Sequence, residues 1–332
     1  MTYRTTIVCL VLSLLGGMAQ ASDHLLYFEA QGIGGYSSES RKPIYYSMNP
    51  DAEMQKSSVG FDYLQRFSGE SGDWATFALQ GRLALTVDGE ERRGNSLKAE
   101  PQVYNAYFKV KTPGPYVWVG HNRPAFGLGS YFDSHGLLLR TLAIQGFGYD
   151  RDWGGGLYKD FSWGDIAASV TTGSGMPVYT KGNNMAAARA SYGVLNRDNY
   201  NLGFSLGYGS TLDTMGYRLR DPKPQEMRLA GADLTILRNR FEHRFDVLAG
   251  TWLDQDTYAF FYRFGINLDQ EARYKIEAQP TYWRFGDDKN YQMSLCFSNQ
   301  VSSTLTVRLG YTYDHNTSDN RVVLQLYYYR PI

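Results

Sequence analysis

The stretch Thr257–Leu268 reads TYAFFYRFGINL. Tyr258, Phe260, Tyr262, Phe264, Ile266 and Leu268 fall on alternate positions, while the intervening face carries Thr257, Ala259, Arg263, Gly265 and Asn267. Successive side chains of an extended chain point to opposite faces, so this segment has one wholly apolar face and one that suits water. Helical spacing would scatter the same residues around a cylinder. The pattern recurs nearby: Tyr274, Ile276 and Ala278 alternate with Arg273, Lys275, Glu277 and Gln279. Leu305, Val307, Leu309, Tyr311 and Tyr313 alternate with Thr304, Thr306, Arg308, Thr312 and Asp314.

Extending this reading gives about sixteen strands of some ten residues each, an even number of the kind that bacterial membrane barrels use. The connections alternate in length. Those at 37–56, 88–100, 125–150, 174–184 and 210–225 are long; those at 68–72, 112–115, 162–164, 196–198 and 238–240 are short. Short turns on one side, long loops on the other and both termini on the short side describe an all-β transmembrane antiparallel barrel with periplasmic turns and external loops. A soluble sandwich has no reason to keep that rhythm. Closure also removes sheet edges, whose unpaired amides could not survive in lipid.

Composition agrees. The chain has 332 residues with 35 Gly, 27 Tyr and 17 Phe, and its 33 basic groups match 33 acidic ones. That balance argues against nucleic acid as a partner. The only long apolar run is Ile7–Leu15, too short to span a membrane; with Arg4 before it and Ala19, Gln20, Ala21 after it, it reads as a cleaved secretory signal over 1–21, leaving 22–332 as a single barrel domain. Cys9 leaves with the signal, so Cys296 has no internal partner and covalent staples are excluded. No spacing fits a haem, a structural zinc or a phosphate loop, and no cofactor is implied. Trp252, Tyr258, Tyr282, Trp283 and Tyr327–Tyr329 lie near strand ends, where a headgroup girdle would sit. Gly203, Gly207 and Gly209 oppose Leu202, Phe204 and Leu206 and would keep an interior open.

The stretch Val119, Gly120, His121, Asn122, Arg123, Pro124, Ala125, Phe126, Gly127, Leu128 resembles the strand-end motif of the phosphate-selective porin O and P family, and the mature chain resembles general porins in length and rhythm. The resemblance implies a trimeric diffusion channel of the bacterial outer membrane whose third external loop, here Ala125–Asp150, folds inward as a constriction. One departure is the C-terminus, which ends Arg330, Pro331, Ile332 where a porin usually ends in Phe.

If the apolar faces meet outer-membrane lipid, Arg82, Lys109, Arg189, Arg244, Arg263, Arg273, Lys275 and Arg308 point inward, together with Asp62, Asp233, Glu242, Asp246, Glu277 and Asp314. Rings of cations would favour anions among small hydrophilic solutes. Pairs such as Lys275 with Glu277 serve equally as ladders that stiffen the wall. Arg82 and Arg308, with no acid within two positions on their strand, are the better selectivity candidates. Arg123 falls on the lipid side unless Pro124 ends its strand. In the loop, Asp133, His135 and Arg140 are the candidate constriction residues. Two other readings use the same barrel: a rim enzyme built on Asp133, Ser134 and His135, and a sheath around a partner such as an electron-conduit cytochrome. Adjacent loop residues rarely satisfy nucleophile and base geometry, and sixteen strands leave little room for a folded protein. Ala186, Ala188 and Ala190 form a small-residue flank that suits a homotrimer contact and suits lipid equally.

Overall fold

The computed structural model describes residues 23–46, 55–70, 72–87, 97–133 and 135–332; the leader expected at 1–21 lies outside them. Among the described residues seventeen strands form one antiparallel sheet. The first nine are β1 His24–Ser37, β2 Lys42–Ile44, β3 Ser58–Gly69, β4 Gly72–Val87, β5 Leu97–Val110, β6 Tyr116–Asn122, β7 Asp152–Phe161, β8 Gly164–Thr171 and β9 Asn184–Tyr192. The rest are β10 Tyr200–Met215, β11 Arg218–Arg238, β12 Phe241–Trp252, β13 Gln255–Asn267, β14 Tyr274–Phe285, β15 Asp288–Gln300, β16 Leu305–Asp314 and β17 Asp319–Pro331. β2 is a flap on the outer end of β1, paired from Gly35↔Ile44 to Ser37↔Lys42. The other sixteen are staves, and β1 closes the ring on β17 from Tyr27↔Pro331 to Ser37↔Arg321.

The period of two sets each face. Along β9, burial alternates residue by residue: Ala186, Ala188 and Ala190 face out, and Met185, Ala187, Arg189 and Ser191 face in. The turn at 112–115 is tight, with Thr112 Oγ1 accepting from the Gly114 amide and donating to the Pro115 carbonyl. The connection expected at 210–225 is instead mostly strand. β10 and β11 pair out to Met215↔Arg218, with register shifts at Asp213, so ladder hydrogen bonding continues beyond the point where the apolar alternation stops.

The interior departs most from expectation. Its outer half is filled by the loop between β6 and β7, which packs an apolar face against the inward side of the wall. Leu128, Leu142 and Phe147 of the loop meet Met185, Met227, Leu248, Trp252 and Phe261 of the staves. Leu138 and Leu139 meet Ile33, Cys296 and Val323 in a second cluster. Phe261, on the polar face of the stretch that decides the fold, is fully buried in the first of these clusters. Trp252 is likewise core, and Trp283 packs on Phe147, so neither belongs to a headgroup girdle. The inward glycines do not hold space open. A side chain at Gly207 would strike Met227 and the Phe126 ring, and one at Gly203 would strike Arg189 and Asp233.

Replacing Phe261 by Ala should lower stability by about 3–5 kcal/mol through loss of buried area and the cavity left behind. Denaturant unfolding of the protein in lipid vesicles would measure this, and lipid-facing Phe260→Ala should cost less because no cavity forms.

Candidate functional site

The loop is held where it is by the wall. Pro124, which lacks an amide donor, ends β6, and the next free amides find acceptors on inward positions of other staves. The Ala125 amide donates to Ser169 Oγ at 3.0 Å, that of Gly127 to Ser205 Oγ at 3.1 Å and that of Leu128 to Asp246 Oδ1 at 3.5 Å. Its far end is gripped at two carbonyls. Arg308 Nη1 and Gln325 Nε2 donate to Gly136 O at 2.8 and 3.0 Å; Arg263 Nη2 and Gln279 Nε2 donate to Arg140 O at 3.1 and 3.0 Å. Gly136 has φ +72, and a Cβ there would lie 2.8 Å from the Tyr327 ring, so both its backbone and its space require glycine.

Charged groups fix the loop over the opening that remains. Asp133 pairs with Arg123 and, at 3.5 Å, with Arg151, which also reaches Asp150 at 3.2 Å. The Arg151 guanidinium lies 4.3 Å from the Tyr104 ring centre, and the Tyr104 hydroxyl donates to Asp150 at 2.8 Å. His135 Nε2 lies 2.7 Å from Glu29 of β1. Burial works to raise the Asp133 carboxyl, but Arg151 and Arg123 outweigh it and hold the group below the usual carboxylate range. Arg140 is buried with no acceptor for its Nε and Nη2 among the described residues; burial, with Arg321 nearby, pushes it down to about 9.

Beneath the loop, toward the short-turn side, a cavity of 720 Å³ remains along the half of the wall that runs from β17 to β9. Lys109, Arg123 and Arg189 line it, as do Asp62, Asp133 and Asp165. Arg189 bridges Asp233 at 2.7 Å and Asp165 at 3.3 Å, and lies 4.5 Å from the Tyr131 ring.

The remaining candidates sit elsewhere. Arg82 is buried, with its Nε on Gln102. Arg244 and Arg263 lie over the Phe132 ring at 3.9 and 5.3 Å, and Arg244 also pairs with Glu242. Lys275 bridges Glu277 at 2.9 Å and Glu242 at 3.1 Å. Arg273 precedes β14, in an exposed turn, where it pairs with Asp269 and Glu271. Arg123 follows the last residue of β6 and turns to the lumen rather than to lipid. Asp133 Oδ1 accepts from the His135 amide, but the two side chains go to different partners, and Ser134 lies outside the described residues. Sequence reasoning missed Glu29, Tyr104 and Arg151. Glu29 carried a usable signal, since Phe28 and Ala30 flank it. Tyr104 carried none, because a register shift between β4 and β5 turns it inward.

Neither a protein-family model nor a curated protein matches this sequence. Its fold is nevertheless shared with solved outer-membrane proteins. A loop-deletion form of OmpT, an outer membrane protein of Vibrio cholerae, superposes with a TM-score of 0.61 at 14% identity over 94% of this chain and all of that one. OmpF of Salmonella typhi gives 0.63 at 10% identity over 93% of this chain and 97% of that one. An anion-selective porin from Comamonas acidovorans gives 0.58 at 11% identity over 94% of this chain and all of that one. The chain thus has the porin fold, a closed barrel of sixteen antiparallel staves.

Asp133→Asn should lower stability at pH 7 by about 1–2 kcal/mol, a value discounted for the half-exposed carboxylate and for the second acid on Arg151. The carboxyl is held down in the fold, so its contribution is present above the ordinary Asp range and fades as pH falls through the folded value. Unfolding midpoints of wild type and variant should therefore differ at pH 7 and converge in strong acid.

Proposed function

We propose that this protein is an outer-membrane porin, a passive channel for small hydrophilic solutes, and not an enzyme. The observation that carries this reading is the inserted loop above the 720 Å³ cavity: the lumen is narrowed on one side while a cavity lined by charged, amide and aromatic side chains remains on the other. A lumen half filled by its own loop has no room for a folded partner, which disfavours a sheath. Charge favours weak ion selectivity. Three cations face three carboxylates in the cavity, and the contact pairs Arg123–Asp133 and Arg189–Asp165 offset each other locally, so neither sign is strongly excluded. Lys109, which forms no ion pair among the described residues, supplies a slight anion preference. Arg82 and Arg308 act on it through the structure they hold, Arg308 by gripping the loop at Gly136.

Assembly as a homotrimer in the outer membrane fits the same reading. Ala186 and Ala188 lie in a shallow apolar valley of 970 Å³ on the outer wall, beside Val170, Leu206 and Ala230. A form of the Vibrio OmpT with this fold is described as a trimer.

Planar-bilayer recording of the refolded protein should show stepwise openings with a zero-current potential close to zero in a salt gradient. Lys109→Ala should remove what anion preference exists. Arg308→Ala should raise the conductance and its noise, because the loop loses a grip on Gly136. Failure to see openings in any lipid would sink the channel reading. Ala188→Trp should abolish trimers on native electrophoresis while leaving the single barrel folded.

A further inference from the structure

Two aromatic walls face each other across the cavity under the loop. On one side β17 and β1 set Tyr327, Tyr329 and Tyr27 in a row: Tyr27 and Tyr329 have ring centres 4.6 Å apart with planes within 9°, and Tyr329 and Tyr327 are 6.3 Å apart with planes within 8°. On the other side Tyr107, Trp118 and Tyr158 line the same space from β5, β6 and β7. None of these six belongs to an apolar cluster among the described residues. Trp118 is buried and Tyr327 also meets Gly136 of the loop, but the other rings neither meet lipid nor complete a core; wetted lumenal positions ordinarily carry polar groups, so these rings call for another partner.

The polar groups between the walls say which partner. Asp62, Gln80, Asn105 and Asn122 bring planar carboxylate and amide groups to the cavity. Asp62 accepts from the Tyr329 hydroxyl at 2.9 Å and forms no ion pair among the described residues, which leaves its carboxylate lone pairs for further donors. The cations and acids balance, and Arg123 and Arg189 are paired with acids of the same cavity. An ion would meet little net charge here, and an apolar solute would strand Asp62 and Asn122, whereas Gln80 and Asn105 already bond each other. A ligand with a flat C–H face and a rim of hydroxyls satisfies both sets at once, the face on the rings and the hydroxyls on carboxylate and amide groups.

We infer that the cavity is a binding site for a neutral mono- or disaccharide, held between the tyrosine row and the Tyr107–Trp118–Tyr158 wall with hydroxyls donated to Asp62. The inference rests on the channel reading for its purpose and not for its test. The cavity volume lies within the range usual for small-molecule sites.

Two measurements on the full mature protein test it. In planar bilayers, maltose should block the single-channel current in a saturable way, beyond the effect of sorbitol at equal concentration, since a linear polyol has the hydroxyls but no ring face. Tyr329→Ala and Tyr158→Ala should each weaken the block by about 2- to 12-fold, the factor that loss of one ring contact of about 0.5–1.5 kcal/mol implies, while lipid-facing Tyr258→Ala leaves it unchanged. Tyr329→Leu, which keeps bulk without a flat ring, serves where the Ala variant does not fold. In detergent, maltose should change tryptophan fluorescence saturably, and Trp118→Phe should remove the change. Open channels with no block beyond sorbitol and no saturable fluorescence change would overturn the sugar site and leave the channel standing. Saturable fluorescence without openings would keep the site and overturn the channel.

Discussion

Backbone hydrogen bonding in a medium without water governs this molecule. Every amide and carbonyl at membrane depth must find a partner within the protein, and a sheet that closes on itself through β1 and β17 meets that demand without an edge. Closure gives each stave a lipid side and a lumenal side, and the period of two visible along β9 is the direct result. It also creates an interior that the chain must either leave to water or fill.

The loop after β6 does both. Its apolar residues fill the outer half of the lumen against β9 to β17, and its polar residues face the half that remains open. Buried charges make this arrangement specific. Arg263 and Arg308 use their guanidinium groups on carbonyls of the loop, and Asp246 receives one of its amides, so several side chains that look like a selectivity filter serve as fasteners. The groups that do face the cavity come largely from the opposite arc of the wall. A cavity displaced to one side, with tyrosines along it, differs from a central lumen ringed by cations.

Legibility divides along the same line. The alternation from Tyr258 to Leu268 and the rhythm of short and long connections carried the barrel and its closure, because each depends on local period and spacing; the inward fold of the third loop was implied only by the porin resemblance of Val119–Leu128. The roles of inward residues were far less readable. Arg189 and Arg263 look alike in the pattern and both are buried, yet one pairs with Asp165 and Asp233 at the cavity wall and the other is held on Gln279 and the Arg140 carbonyl of the loop. Apolar residues on inward positions, Met185, Met227, Leu248 and Phe261 among them, are the trace that the lumen-filling loop leaves in the sequence of the wall.

By itself the sequence determined that the chain is a barrel, how many staves it has and which face of each meets lipid, since these depend on side-chain period and on the cost of unpaired amides. Only the tertiary structure decided which lumenal side chains meet water. That depends on where a loop of some two dozen residues comes to rest, and its resting place is set by contacts between Gly136 and Arg308, Arg140 and Arg263, and Gly127 and Ser205. The partners in those contacts are far apart in the chain, so no local pattern records them.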